Sequence, residues 1–274
     1  MNKFYLTNAI AYVNAGPHMG HALEAVQGDA LTRYHRMMGD DVRFLVGTDE
    51  HGSKIQQVAK EKEVTPHELA DMNSELFRNF HKKINASNDD FIRTTSERHK
   101  AGAQKLWKKL EEAGKFYDKE YEGKYCTGCE AFILDKDLVE GKCSIHLREP
   151  QVLKEKNIFF KLSDYSDAIK EKVKSGELLI RPQSRKNEFL SLLEEGLQDV
   201  SFSRPKKTLA WGIDVPGHDD QVMYVWCDAL TNYISALGYA EDSEDFKKYW
   251  PAYVHLIGKD IIRFHCGIWI GMLM

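Results

Sequence analysis

No stretch of this sequence approaches the roughly 18 consecutive apolar residues that a bilayer-spanning helix needs, and no basic segment followed by an apolar one opens it. A membrane span and an export signal are therefore not expected, and the cytoplasm is the expected compartment. Cysteine is scarce: five residues, an odd number at uneven spacing, do not make a disulfide framework. An excess of positive charge is also missing. With 38 basic against 42 acidic residues and a net charge of −4, the chain does not coat nucleic acid by bulk electrostatics, although a local basic patch remains open. Residues 113–210 hold no internal repeat and no low-complexity tract. What remains is 274 residues, 42% of them apolar and 29% charged, enough to bury a large core.

The pattern along the first 112 residues alternates short apolar runs with helical periodicity. Residues 3–11 read as a strand. A helix follows the turn at Gly16-Pro17, with Leu23, Val26, Ala30, Leu31, Tyr34, Met37 and Met38 at helical spacing and Gly39 in the capping position. Residues 42–46 form a second strand, expected to break at Gly47. Thr65-Pro66-His67-Glu68 carries the signature of a capping box, and Phe91-Ile92 marks a third strand. Thr95 or Ser96 opens a helix whose inner stripe is Ala103, Leu106, Trp107, Leu110 and Ala113. Such alternation predicts an α/β fold with a doubly wound, parallel, Rossmann-like sheet.

At residue 116 the pattern changes. Aromatic and polar residues alternate around Glu122-Gly123, which predicts a hairpin. Cys126-Thr-Gly-Cys129 and Cys143-Ser-Ile-His146 follow. Two-residue gaps let both side chains of each pair turn inward, and three thiolates with one imidazole fill a tetrahedral zinc shell. No position is left open for a substrate, so a structural zinc is expected. The crossover pattern returns after Trp211-Gly212 with a strand at 222–225, a helix that Asp228 could cap, and a last strand at 253–257 leading into Gly258-Lys259-Asp260. The expected organisation is one sheet in two halves, 1–112 and 211–274, split by a zinc-bearing insertion over 113–210.

Ligands of open parallel sheets bind beyond the carboxyl ends of the strands, and three such loops carry suitable groups. His18 and His21 lie one turn apart at a helix start, where unpaired amides and the dipole favour anions and Gly20 admits close approach. The second loop, Gly47–Gly52, offers the carboxylate of Asp49. The third offers Gly258 for close approach and Asp260 for ribose hydroxyls. Any one could be an ordinary helix cap; the three together describe a nucleotide site.

These residues resemble a known family. His18-Met19-Gly20-His21 resembles the HIGH motif of class I aminoacyl-tRNA synthetases, and the longer segments resemble the methionyl-tRNA synthetases: GTDEHG at 47–52, the two zinc pairs, SRKNEFLSLLEEGLQDVSFSRP at 184–205, YVWCDALTNY at 224–233 and HLIGKDIIRFHCGIW at 255–269. The resemblance runs through the whole chain. It implies a ligase that activates methionine with ATP, accompanied by Mg2+, to methionyl-adenylate and then charges tRNA(Met). His18 and His21 would be catalytic, stabilising the α-phosphate. ATP would be bound by these with Gly20, Glu24, Gly258 and Asp260, and methionine by Ile10, Tyr12, Asp49, Trp226, Leu230, Tyr233, His265 and Trp269.

The family's lysine-rich KMSKS loop and anticodon-binding domain find no counterpart before Met274, so a truncated catalytic domain that binds methionine with weak or no turnover is expected. Ile270-Gly271, where the family often has Pro-Ala, is expected to alter packing only. The isoleucyl, leucyl, valyl and cysteinyl synthetases share the fold, but the Tyr12, Trp226 and His265 set favours methionine. A non-catalytic zinc module binding RNA through Arg204, Lys206 and Lys207 is the reading from another class.

Overall fold

A computed structural model describes residues 2–129 and 131–274. Its elements run β1 (Lys3–Asn8), β2 (Ala11–Tyr12), α1 (Met19–Met37), β3 (Asp41–Asp49), α2 (Ser53–Glu61), α3 (Pro66–Lys83), β4 (Asp90–Arg93) and α4 (Glu97–Glu112). Next come β5 (Phe116–Cys126), β6 (Ala131–Ile133), β7 (Leu138–Val139), β8 (Lys142–Cys143), β9 (Gln151–Phe160), α5 (Ser166–Ser175), α6 (Gln183–Glu195), β10 (Val200–Ser201) and β11 (Ser203–Pro205). The chain closes with β12 (Gln221–Met223), α7 (Val225–Leu230), α8 (Asn232–Ser235), α9 (Glu244–Tyr249), β13 (Val254–Leu256) and, after a π-helical segment Phe264–Trp269, α10 (Ile270–Leu273).

The expected parallel sheet is present. β3 is its centre, with β1 and β2 along one side, β4 along the other, and β13 outside β1, every pairing parallel. Alternation on the strands sends Tyr5, Leu45 and Ile92 into a core shared with Trp107 of α4, and Phe4, Leu6, Phe44 and Val46 into a core on the opposite face. Both faces are thus covered, as a parallel sheet requires.

Beyond α4 the topology is antiparallel. β5 pairs with β9 from Phe116↔Phe160 to Tyr125↔Gln151. The hairpin expected at Glu122-Gly123 is therefore absent: Glu122 lies opposite Lys154 in an unbroken strand, and the chain reverses between Cys126 and Ala131, at the first cysteine pair. The run at 222–225 is also not a strand of the parallel sheet. Residues 221–223 form β12, antiparallel to β11, and Val225 already starts α7.

Three further corrections concern glycine and helix faces. β3 does not break at Gly47 but runs on to Asp49. A Cβ at Gly47 would stand 2.3 Å from the Ile92 carbonyl oxygen, so glycine there admits β4 and does not make a turn. On α1 the apolar stripe faces outward, with Leu23 62% and Tyr34 56% exposed, while Ala25, Gly28 and Thr32 face the sheet. The helix lies too close to the sheet for larger residues: a Cβ on Gly28 would meet Asn8 Oδ1 at 2.4 Å and Phe44 Cζ at 2.9 Å. Ala113, expected on the inner stripe of α4, is exposed beyond the helix end. At the other end of the chain Gly271 keeps a Cβ out of the way of Leu162 Cδ1, which would lie 2.8 Å from it.

The two faces of α1 are separable by substitution. Gly28→Val should lower the unfolding free energy by about 1–3 kcal/mol through overpacking, whereas Val26→Ser should stay within about 0.5 kcal/mol. Urea unfolding of both variants checks the assignment.

Candidate active site

α1 begins at a capping box built from its own histidines. His18 is the N-cap, its Nδ1 accepting from the Gly20 amide at 3.1 Å, and His21 Nδ1 accepts from the His18 amide at 3.2 Å. Because both Nδ1 atoms accept from backbone N–H groups, the ring protons sit on Nε2. The two rings stack at 3.8 Å between centroids, and Phe77 closes edge-on against His21 at 5.0 Å. Burial, with the neighbouring His18 and His81 imidazoles, brings the His21 pKa down to about 4, so it is neutral at pH 7. The turn therefore offers directed N–H donors at a helix N-terminus, an arrangement suited to an anion. Glu24, one turn on, accepts from the Ala9 amide at 2.7 Å, and burial raises its carboxyl to about 7 against that bond.

The neighbouring strand end carries Asp49, opposite Tyr12 in the parallel register. Between it and the next helix, Glu50 is fully buried. Arg93 grips it through Nε at 2.7 Å and Nη2 at 3.0 Å, and Thr48 and Thr95 donate to it.

The aromatic residues expected to hold a substrate side chain cluster together. Trp226 stacks on Phe264 at 3.9 Å and meets His265 at 6.1 Å; Tyr233 lies 5.9 Å from Trp269. His265 Nδ1 donates to the Ile261 carbonyl at 3.0 Å, which leaves Nε2 to accept from the Tyr233 hydroxyl at 2.6 Å. Burial lowers His265 to about 4. Burial also raises the Tyr233 phenol, and the carboxylates of Glu24 and Asp49 add to that rise. Leu230 is buried in the same cluster and Ile10 and Tyr12 pack against it. Trp269 Nε1 is buried with no hydrogen-bond partner among the described residues. Gly258 and Asp260 follow β13, beside β1 at the same edge of the sheet. No hydrogen bond or ion pair among the described residues ties them to the histidine turn, and Asp260 pairs with Lys259 at 3.3 Å.

The four zinc candidates also meet. Sγ of Cys126, Cys129 and Cys143 and Nδ1 of His146 all lie within 4.8 Å of one another. Cys129 Sγ is 3.5 Å from Cys143 Sγ and 3.3 Å from His146 Nδ1, close to the edge lengths of a tetrahedron with Zn–S about 2.3 Å and Zn–N about 2.0 Å. Gly128 is needed here, since a Cβ would lie 2.6 Å from the His146 ring.

Sequence reasoning missed three imidazoles and misread a carboxylate. His81 donates to the Phe77 carbonyl at 2.8 Å and lines, with His21 and Glu24, a small crevice beside β1; its spacing from Phe77 on the inner stripe of α3 was the available signal. His51 and His99 both bind Asp228, which lies inside α7 and caps nothing. The basic patch does not form either: Arg204 is buried over the Tyr224 ring, and Lys206 pairs with Asp214 at 2.9 Å.

The family model described as "tRNA synthetases class I (M)" matches residues 4–149 and 133–274. The methionine–tRNA ligases of Streptomyces coelicolor and Caldanaerobacter subterraneus subsp. tengcongensis are 44% and 47% identical, each over 99% of the chain and over 52% and 42% of those proteins. The Mycobacterium tuberculosis methionyl-tRNA synthetase in complex with methionyl-adenylate superposes over 100% of the chain and 54% of its own, with a TM-score of 0.96 at 43% identity; its free form gives 0.85. The chain spans about half the length of the curated relatives it matches.

Two outcomes follow from the geometry. Mass spectrometry of the purified chain should find one zinc per chain, falling well below half in Cys143→Ser. Stability should rise between pH 4.5 and 6.5. Over that window the unfolded chain takes up protons that His21, His255 and His265, at about 4, 3 and 4, refuse in the native state. Glu24 works the other way, because its stabilising native proton is lost as the pH rises toward 7. Urea midpoints at pH 4.5, 5.5 and 6.5 check the sign.

Proposed function

The chain belongs to the methionyl-tRNA synthetases of class I, and on that premise we propose that it carries the methionine and ATP sites of a methionine–tRNA ligase. The observation that carries the reading is that the donor-bearing helix N-terminus follows β2, whose Tyr12 lies opposite Asp49 and packs against the aromatic cluster. The ligase joins the methionine carboxylate to the α-phosphate of ATP; a carboxylate oxygen forms the new P–O bond, and pyrophosphate leaves with the electron pair of the broken one. The aminoacyl group then passes to a hydroxyl of tRNA(Met), an ester bond forming as the bond to the phosphate breaks and AMP leaves.

In this reading His18 and His21 direct Nε2–H donors at the phosphates with the amide of Gly20, and their task is to stabilise charge that grows in the transition state. Glu24, Gly258 and Asp260 hold the nucleoside side, and Mg2+ arrives with ATP. Asp49 receives the methionine ammonium. Ile10, Tyr12, Trp226, Leu230, Tyr233, His265 and Trp269 enclose the thioether, whose sulfur gains on the order of 0.3–1.5 kcal/mol from each aromatic contact. Zinc at Cys126, Cys129, Cys143 and His146 closes the turn between β5 and β8 and takes no part in the chemistry. Residues 113–210 serve as a connective insertion between the catalytic halves 1–112 and 211–274. Five free cysteines suit a cytoplasmic setting.

Calorimetry of methionine with this chain should give a saturable one-to-one heat, with affinity falling at least tenfold in Trp226→Ala. Leucine, a different shape without the sulfur, should bind much more weakly. No methionine heat, or equal binding of leucine, overturns the assignment.

A further inference from the structure

The loop after β3 and the short helix α7 come from opposite ends of the chain, and one buried carboxylate joins them. Asp228 is wholly buried, and each of its oxygens takes a proton from a different imidazole: Oδ2 from His51 Nδ1 at 2.6 Å, and Oδ1 from His99 Nε2 at 2.6 Å. His99, on α4, reaches onward through Nδ1 to Ser235 Oγ of α8 at 2.9 Å. Burial pushes against the charged form of Asp228, yet the two imidazoles hold its carboxyl below the usual range.

Spacing gives this cluster a meaning beyond stability. His51 stands two residues after Asp49, and Asp228 stands two residues after Trp226. The two ends of one buried hydrogen bond therefore flank the proposed ammonium partner and the proposed indole wall. The β3 side is already fixed, by Arg93 on Glu50 and by the Trp211 indole, which donates to the Glu50 carbonyl at 2.5 Å. α7 is not fixed in that way: it has six residues and no side-chain cap. Apolar packing seats α7 in the core, and the bond at Asp228 ties it to the loop that follows Asp49.

We propose that His51 and Asp228 are positioning residues for the amino-acid pocket, their bond setting the distance between Asp49 and Trp226, while His99 anchors Asp228 to the helical layer. This inference rests on the methionine reading above.

The test uses the shapes of the amides. Asparagine places an N–H near the position of imidazole Nδ1, and glutamine near that of Nε2. His51→Leu and His51→Gln should weaken methionine binding about tenfold by calorimetry, and His51→Asn should restore it to within about threefold, with melting temperatures recorded for each. If His51→Leu does not fold, the Asn and Gln pair decides. Equal binding by all the folded variants, or Asn and Gln variants weakened alike in step with their melting temperatures, overturns the inference and leaves the function standing. No methionine binding by the unaltered chain overturns both.

Discussion

The parallel register of β3 is the constraint on which the rest depends. The strand is paired on both edges, and the pairing Tyr12↔Asp49 on one side with Thr48↔Arg93 on the other decides which side chains emerge together at the carboxyl edge. A slip of one residue would exchange the faces, sending Phe44 and Val46 to the side of α4 and turning Asp49 away from Tyr12. Gly47 enforces the register, because only a residue without Cβ tolerates the Ile92 carbonyl where it lies. Methyl-sized space in one strand thus fixes the position of a carboxylate two residues later.

A strand end that carries function must also be held where regular pairing stops. Here that is done with buried charge. Glu50 is fully enclosed, and Arg93 spans it and Asp71, the latter at 2.6 Å. Desolvating such ions costs several kcal/mol apiece, so the network is a poor source of net stability. Removing either partner would leave an uncompensated charge, however, so alternative loop conformations are strongly disfavoured. Asp228 with His51 and His99 repeats the device where α7 meets the loop after β3. Both networks lie where separate segments of the chain meet.

This division explains what could be read from the sequence. The parallel strands β1, β3, β4 and β13, the capping box at Thr65 and the spacing of the zinc pairs are local properties, and each appears in the structure as expected. The face of α1 is not local. Its apolar periodicity is real, but the close approach to Asn8 and Phe44 reserves the inner face for Ala25, Gly28 and Thr32, and only the sheet supplies that information. In the same way Asp228 looks like a cap until His51 and His99, 177 and 129 residues away, are brought against it. The Glu122-Gly123 turn failed because the partner of β5 lies beyond the zinc pairs, where pairing with β9 outweighs a weak local turn preference.

The state of the two histidines on α1 follows from their neighbours. Their rings lie 3.8 Å apart, and two imidazolium charges at that distance would repel by about 4 kcal/mol at an effective dielectric of about 20. The positive end of the helix dipole opposes cations there as well. Both Nδ1 atoms are already occupied as acceptors from backbone amides. His21 is consequently held as a neutral donor, and the backbone amides fix the ring orientations of both residues. Attraction for an anion then comes from directed N–H groups and helix amides more than from net charge, and such groups discriminate by geometry. In the proposed reaction that favours the geometry in which charge gathers at the phosphorus under attack, while a departing pyrophosphate is not retained by full positive charges on the helix.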